Sequence, residues 1–192
     1  MISVLLQRLP SHGITNAVVA FGCAAMMGIA LYMEHVMLLE PCPLCVMQRV
    51  MVISVGTVCL LAFIHGPRGP GLRLYGGVAL ICAVAGGGLS SRQLWLQSLP
   101  ADQVPACGAS LDYLMEVFPL TEVLAMVLSG DGTCAEVKWS LLGITIPGWT
   151  LLGFIGLGSV MTWQILRPLP VSYTHLRAHE TGRNLVCRLL LE

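Results

Sequence analysis

Residues 42–64 read CPLCVMQRVMVISVGTVCLLAFI, a C-x-x-C that runs directly into an apolar stretch carrying one formal charge, Arg49. From Leu44 to Ile64 the stretch matches the roughly 20 residues of helix that cross a bilayer. It must be helical, because hydrocarbon offers no partner to an unpaired backbone N–H or C=O. Three further runs of that kind lie on either side: about Ile14–Met33, Leu72–Leu94 and Pro147–Leu166. Composition agrees. The chain has 192 residues, 56% hydrophobic and 10% charged, with a mean hydropathy of +0.80; a soluble domain carries about 25% charged residues. The fold class that follows is an all-α membrane protein, an antiparallel four-helix transmembrane bundle. The formal net charge of zero leaves no basic face for nucleic acid.

The charges at the span ends give a direction. Arg8 precedes the first span, Arg68 and Arg73 lie between the second and third, and Arg167 follows the fourth. The other two loops hold Glu34, Glu40, Asp102, Asp112, Glu116, Glu122, Asp131 and Glu136, against Arg92 and Lys138. The positive-inside rule puts both termini in the cytoplasm and these acidic loops outside. The first run extends past Cys23 to Met33, longer than a signal-peptide core, so it is read as a retained span. Residues 1–170 are read as one four-span domain. The final VSYTHLRAHETGRNLVCRLLLE (171–192) resembles read-through of vector sequence and is set aside with its Cys187.

The cysteines sort by depth. Cys23, Cys59 and Cys82 fall inside spans, where a thiol behaves as a small hydrophobe. Cys42, Cys45, Cys107 and Cys134 fall in the outer loops, an even number where disulfides persist. A C-x-x-C closes a small, reducible ring and lowers one thiol's pKa. Cys45 opens a helix, so its sulfur is expected beside the N-terminal N–H groups that favour thiolate. Arg49 lies one turn further on the same face, and an arginine at that depth is costly enough to mark a functional position. Cys107 and Cys134 alone would read as a staple; beside a C-x-x-C at a membrane surface they read as the second half of a thiol–disulfide exchange system. Between them, Leu111–Leu128 is too charged to span. Its apolar residues recur at helical spacing, giving one or two short helices that lie on the outer membrane surface or pack on the span tops. Trp95, Trp139 and Trp149 read as interfacial belt residues, and Gly76-Gly77 and Gly86-Gly87-Gly88 as sites of close helix packing.

Three segments together resemble the DsbB family of bacterial disulfide-bond formation proteins: EPCPLCVMQR at 40–49, RQLWLQ at 92–97 leading to Cys107, and CAEVKW at 134–139 followed by LGI (142–144) and PGW (147–149). The resemblance covers about Ile14 to Leu169. It implies a quinone-linked thiol oxidase of the bacterial inner membrane, with a long periplasmic loop containing short interfacial helices. Reduced DsbA, a periplasmic thioredoxin-fold oxidase, would attack Cys107 and open Cys107–Cys134. Cys134 would then attack Cys42 and free Cys45, and Cys45 would deliver the electrons to a membrane quinone, ubiquinone or menaquinone. On the quinone side the resemblance implies Cys45 and Arg49, with Gln48 and Gln93 beside them. Some members carry a histidine where this chain has Gln93, so a titrating base does not carry over. No metal site is implied. Two other classes stand beside this reading. A quinone-linked reductase of the vitamin K epoxide reductase type usually has its loop cysteines before the C-x-x-C, whereas here they follow it. A structural membrane protein stapled by disulfides leaves the placement of Arg49 near Cys45 unexplained.

Overall fold

A computed structural model describes residues 11–100, 102–104 and 111–168. Four long helices dominate: α1 (His12–His35), α2 (Pro43–His65), α3 (Pro70–Gln97) and, after the long outer loop, α7 (Ile146–Leu166). Among the described residues these are the four helices long and apolar enough to cross a membrane. Each begins and ends within a turn of the apolar run that announced it, and the all-α bundle expected from the sequence is the architecture observed. Arg8, Cys107, Cys187 and the stretch 171–192 lie outside the described residues.

Local chemistry sets the helix ends. The Ser11 hydroxyl accepts the Ile14 N–H at 3.3 Å and caps α1, a contact of a kind that contributes about 1 kcal/mol. Pro43 and Pro70 open α2 and α3, where a missing N–H costs nothing. Gly66 closes α2 in the left-handed conformation, φ 54°, with its N–H on the Ala62 carbonyl.

Sequence neighbours pack as neighbours: α1 on α2, α2 on α3, and α3 on α7. One core joins all four helices through Val19, Cys23, Val55, Cys59, Ala83, Phe154 and Met161. Cys23 and Cys59 are therefore the small core hydrophobes expected of them. Outward-facing side chains such as Phe21 (76% exposed) and Ile81 (70%) are apolar, as a lipid-facing surface requires. Association inside a membrane depends on close backbone approach rather than on expulsion of water. Gly86 supplies it, since a Cβ there would lie 2.3 Å from the Phe154 ring. Gly76 does so more mildly against Ile165. Gly77 and Gly88 have no neighbour within 4 Å of such an atom, so the packing role read for them does not hold.

The outer loop folds into α4 (Leu111–Val117), α5 (Leu120–Ser129) and α6 (Gly132–Ala135). Pro119 separates the first two. α5 turns Val123 and Val127 inward and leaves Leu120 and Leu128 exposed. A ribbon of β1 (Ser140–Leu141) and β2 (Ile144–Thr145), not foreseen from the sequence, leads into α7. Its two turn residues, Leu142 and Gly143, both have positive φ, as a tight two-residue hairpin demands.

Candidate functional site

Four contacts fasten the loop over the outer ends of the long helices. Arg92 donates to the Ser129 carbonyl at 3.0 Å, and its guanidinium stacks 4.3 Å over Trp95. Lys138 donates to the Glu40 carbonyl at 3.1 Å. The Gln97 amide donates to the Glu136 carbonyl at 3.4 Å and accepts from the Thr145 hydroxyl at 2.9 Å. Gly130 turns with φ 76° directly against Leu96, 2.4 Å from where a Cβ would stand, so no larger residue fits. The chain then enters α6, where Asp131 accepts the Cys134 N–H at 3.2 Å and the Thr133 hydroxyl at 2.6 Å. This cap holds Cys134, fully buried, in a small cluster with Cys42, Leu44 and Leu96.

Cys42 is the middle sulfur of three. Its Sγ lies 2.8 Å from Cys45 Sγ, and Cys134 packs beside it in the same buried cluster. Hydrogen bonding toward Cys134 first and Cys45 second, together with burial, pushes the Cys42 thiol well above its ordinary range. Cys134 shifts the other way: the hydrogen bond from Cys42 and backbone groups of Leu44 and Asp131 outweigh burial and hold its pKa below the usual thiol value. In this reduced state the proton rests on the central sulfur and its neighbour Cys134 is the one that favours the thiolate.

Cys42 is the α2 cap, with its sulfur accepting the Cys45 N–H at 3.4 Å. The Cys45 sulfur meets the Gln93 side chain, 3.3 Å from Nε2 and 3.6 Å from Oε1. Gln93 Nε2 is also 3.3 Å from Cys42 Sγ.

Beside these sulfurs a cavity of about 110 Å³ opens between α1, α2 and α7. That is many times the ~15 Å³ that admits one water. Cys45, Gln48, Arg49 and Gln93 all line it, so the structure brings together the four quinone-side residues that the sequence named. Its apolar walls include Met26, Met33 and Ile146, with Trp139 at the loop side. Trp139, read as a belt residue, thus also faces the cavity.

Three contributors escaped the sequence reading. Glu34 forms an ion pair with Arg49, which also donates to the Ala30 carbonyl at 3.3 Å. Thr150 lines the cavity and donates to Gln48 Oε1 at 2.8 Å. Lys138 lines it too. Glu34 and Thr150 sit on α1 and α7, and spacing along the chain cannot reveal which side chain of another helix they will meet.

Four helices long and apolar enough to cross a membrane, carrying a three-sulfur cluster beside a mostly apolar cavity at their ends, define a membrane thiol–disulfide oxidoreductase. Comparison with known proteins agrees. The profile of the family described as Disulfide bond formation protein DsbB matches residues 13–164. The chain is 54% identical over 151 residues to Disulfide bond formation protein B of Stutzerimonas stutzeri, covering 78% of this chain and 93% of that protein. It is 59% identical over 132 residues to the Marinobacter nauticus protein of the same name, covering 69% and 79%. It is 46% identical over 162 residues to that of Saccharophagus degradans, covering 84% and 98%. The chain belongs to the DsbB family. That membership decides against the vitamin K epoxide reductase type and against a purely structural role.

Proposed function

We propose that this protein, a disulfide oxidase of the membrane, reoxidises a DsbA-like periplasmic thioredoxin-fold protein and passes two electrons to a membrane quinone, ubiquinone or menaquinone. The setting proposed is the bacterial inner membrane, with both termini cytoplasmic and the cysteine-bearing loops periplasmic. One observation carries the reading: Cys42 lies between Cys134, which belongs to the loop, and Cys45, which faces the membrane-depth cavity.

The steps balance. A dithiolate partner attacks Cys107, breaks Cys107–Cys134 and leaves Cys134 as thiolate. Cys134 then attacks Cys42 Sγ; the Cys42–Cys45 bond breaks as Cys42–Cys134 forms, and Cys45 departs as thiolate. The second partner sulfur displaces Cys107 from the mixed disulfide, so the partner leaves oxidised. Cys107 and Cys45 now hold the electron pair. The Cys107 thiolate then attacks Cys134; Cys107–Cys134 forms as Cys42–Cys134 breaks, and the freed Cys42 sulfur closes on Cys45 as Cys45 gives the pair up toward the cavity. A quinone bound there would supply the acceptor of two electrons and two protons.

The donor set fits that acceptor. The cavity has apolar walls for a ring that dissolves in lipid, a sulfur donor in Cys45, and the Arg49 guanidinium. Arg49, held by Glu34 and the Ala30 carbonyl, keeps positive charge where an oxygen gains negative charge during reduction, and such pre-set charge lowers the barrier. Gln93 offers its N–H to the same sulfur, and Gln48 stands behind it. Two sulfur pairs are needed because a water-soluble partner and a lipid-soluble acceptor cannot reach the same thiol.

The test is oxidation of reduced DsbA with added quinone by wild type, Cys45→Ser and Cys107→Ser. Turnover is lost in both variants, and a mixed disulfide with DsbA is trapped only where Cys107 remains. Full turnover in Cys45→Ser refutes the electron path.

A further inference from the structure

Behind the sulfurs runs a chain of hydrogen bonds that crosses three helices and points one way. The Thr150 hydroxyl on α7 donates to Gln48 Oε1 at 2.8 Å. Gln48 Nε2 on α2 donates to Gln93 Oε1 at 2.8 Å. Gln93 Nε2 on α3 then faces both Cys42 and Cys45 sulfurs at 3.3 Å. Both amides are 3% exposed, so their polar ends must be matched largely by protein partners.

We propose that Thr150 and Gln48 are positioning residues that aim the Gln93 N–H at the Cys42–Cys45 sulfur pair and so favour its reduced, thiolate form. The inference rests on the exchange reading above and concerns how the sulfur pair is tuned.

The donor count supplies the argument. A primary amide has one acceptor end and one donor end, and burial requires both to be matched. With Gln48 Nε2 committed to Gln93, Gln48 Oε1 needs a donor, and Thr150 provides it. The Pro147 carbonyl stands 3.0 Å from the same hydroxyl, but that carbonyl belongs to the α7 ladder and has a backbone partner. Ser90 closes the far end: its hydroxyl donates to the Gly86 carbonyl at 3.1 Å and lies 3.3 Å from Thr150 Oγ1. Gln93 Oε1 is also 3.6 Å from the Cys45 sulfur; if Gln48 turned over, its Nε2 would leave that oxygen, Gln93 would turn with it, and the carbonyl oxygen would replace the N–H as the closer group to both sulfurs. A thiolate is repelled by that oxygen and stabilised by the N–H. Donors aligned in series also polarise one another, which strengthens the last bond, the one to sulfur. A disulfide sulfur is a weak acceptor and gains little, so the chain acts on the reduced state.

The experiment uses the full-length protein in lipid nanodiscs, equilibrated with a reference dithiol–disulfide couple, with Cys42–Cys45 read by alkylation and peptide mass mapping. Gln48→Leu makes the pair harder to reduce by about tenfold in the equilibrium constant, roughly 30 mV for a two-electron couple. Thr150→Val shifts it the same way by about threefold, because the amide is loosened rather than removed. Thr150→Ser, which restores the hydroxyl, returns the wild-type equilibrium. Equal shifts in Thr150→Val and Thr150→Ser, or no shift in either Gln48→Leu or Thr150→Val, overturn the proposal. Quinone-dependent turnover of wild type in the same nanodiscs is the separate check. Turnover with unshifted equilibria discards the positioning chain alone, whereas absent turnover discards the exchange reading beneath it.

Discussion

Cys42 and Cys134 pack in one buried cluster with Leu44 and Leu96, which sets the last cysteine of the long loop against the first cysteine of the C-x-x-C. Cys42 meets Cys45 Sγ at 2.8 Å on its other side. A disulfide can therefore shift from one neighbour to the other by small sulfur movements, without unfolding the loop. The contacts of Asp131, Gly130 and Arg92 keep the loop closed while it does so.

The pH dependence follows from the two opposite shifts. The hydrogen bond from Cys42 holds the Cys134 thiol below its unfolded value of 9.0. A lowered acid stabilises the fold fully above that unfolded value, and the contribution fades as pH falls through the folded one. Cys42, raised by the same contact, contributes fully below 9.0 and loses its contribution as pH climbs through its own folded value. Removing the Cys42 thiol by Cys42→Ala should move the midpoint of Cys134 alkylation in the reduced protein upward, followed by mass mapping across pH. An unmoved midpoint would show that Cys42 is not the group that favours the Cys134 thiolate.

Arg49 should matter to the acceptor far more than to the fold. It pairs with Glu34 where both side chains are partly exposed, 21% and 31%, at the end of the bundle rather than in its core. A hydrogen bond from a charged donor to a bound ligand contributes roughly 1.5–3 kcal/mol. Arg49→Leu is therefore expected to raise KM for a short-chain quinone by about tenfold or more while the melting temperature stays close to wild type. Glu34→Gln should raise KM less, because Arg49 retains the Ala30 carbonyl. Steady-state kinetics with varied quinone decide it; a melting collapse with unchanged KM would assign Arg49 to structure.

Two neighbouring glycines should respond oppositely. Alanine at Gly86 would put its Cβ 2.3 Å from the Phe154 ring, and overpacking of that kind costs about 1–3 kcal/mol. Gly77 faces open space, where alanine gains up to about 1 kcal/mol of helix propensity. Thermal unfolding in detergent should rank Gly77→Ala at or above wild type and Gly86→Ala below it. The reverse order would contradict the packing of α3 on α7.

The bundle was legible because lipid imposes one rule on every spanning segment, and Leu44–Ile64 obeys it over its full length. The grouping of three sulfurs was legible because Cys42, Cys45 and Cys134 are sparse, distinctive residues outside the bodies of the apolar runs. The site's finish was not. That Glu34 pairs with Arg49, or that Thr150 reaches Gln48, depends on the rotation of one helix against another. Those rotations are set by packing details such as Gly86 against Phe154. The capping role of Cys42 was not read from the sequence either: the residue just before the first turn is the one whose side chain folds back onto the N–H groups.

The most direct test of the sulfur relay is capture of its central bond. Wild-type protein would be mixed with reduced DsbA and quinone, quenched with acid at successive times, alkylated and digested. The expected result is a transient peptide joined through Cys42 and Cys134 that appears together with alkylated Cys45. Disulfides confined to Cys42–Cys45 and Cys107–Cys134 at every time point would contradict the relay.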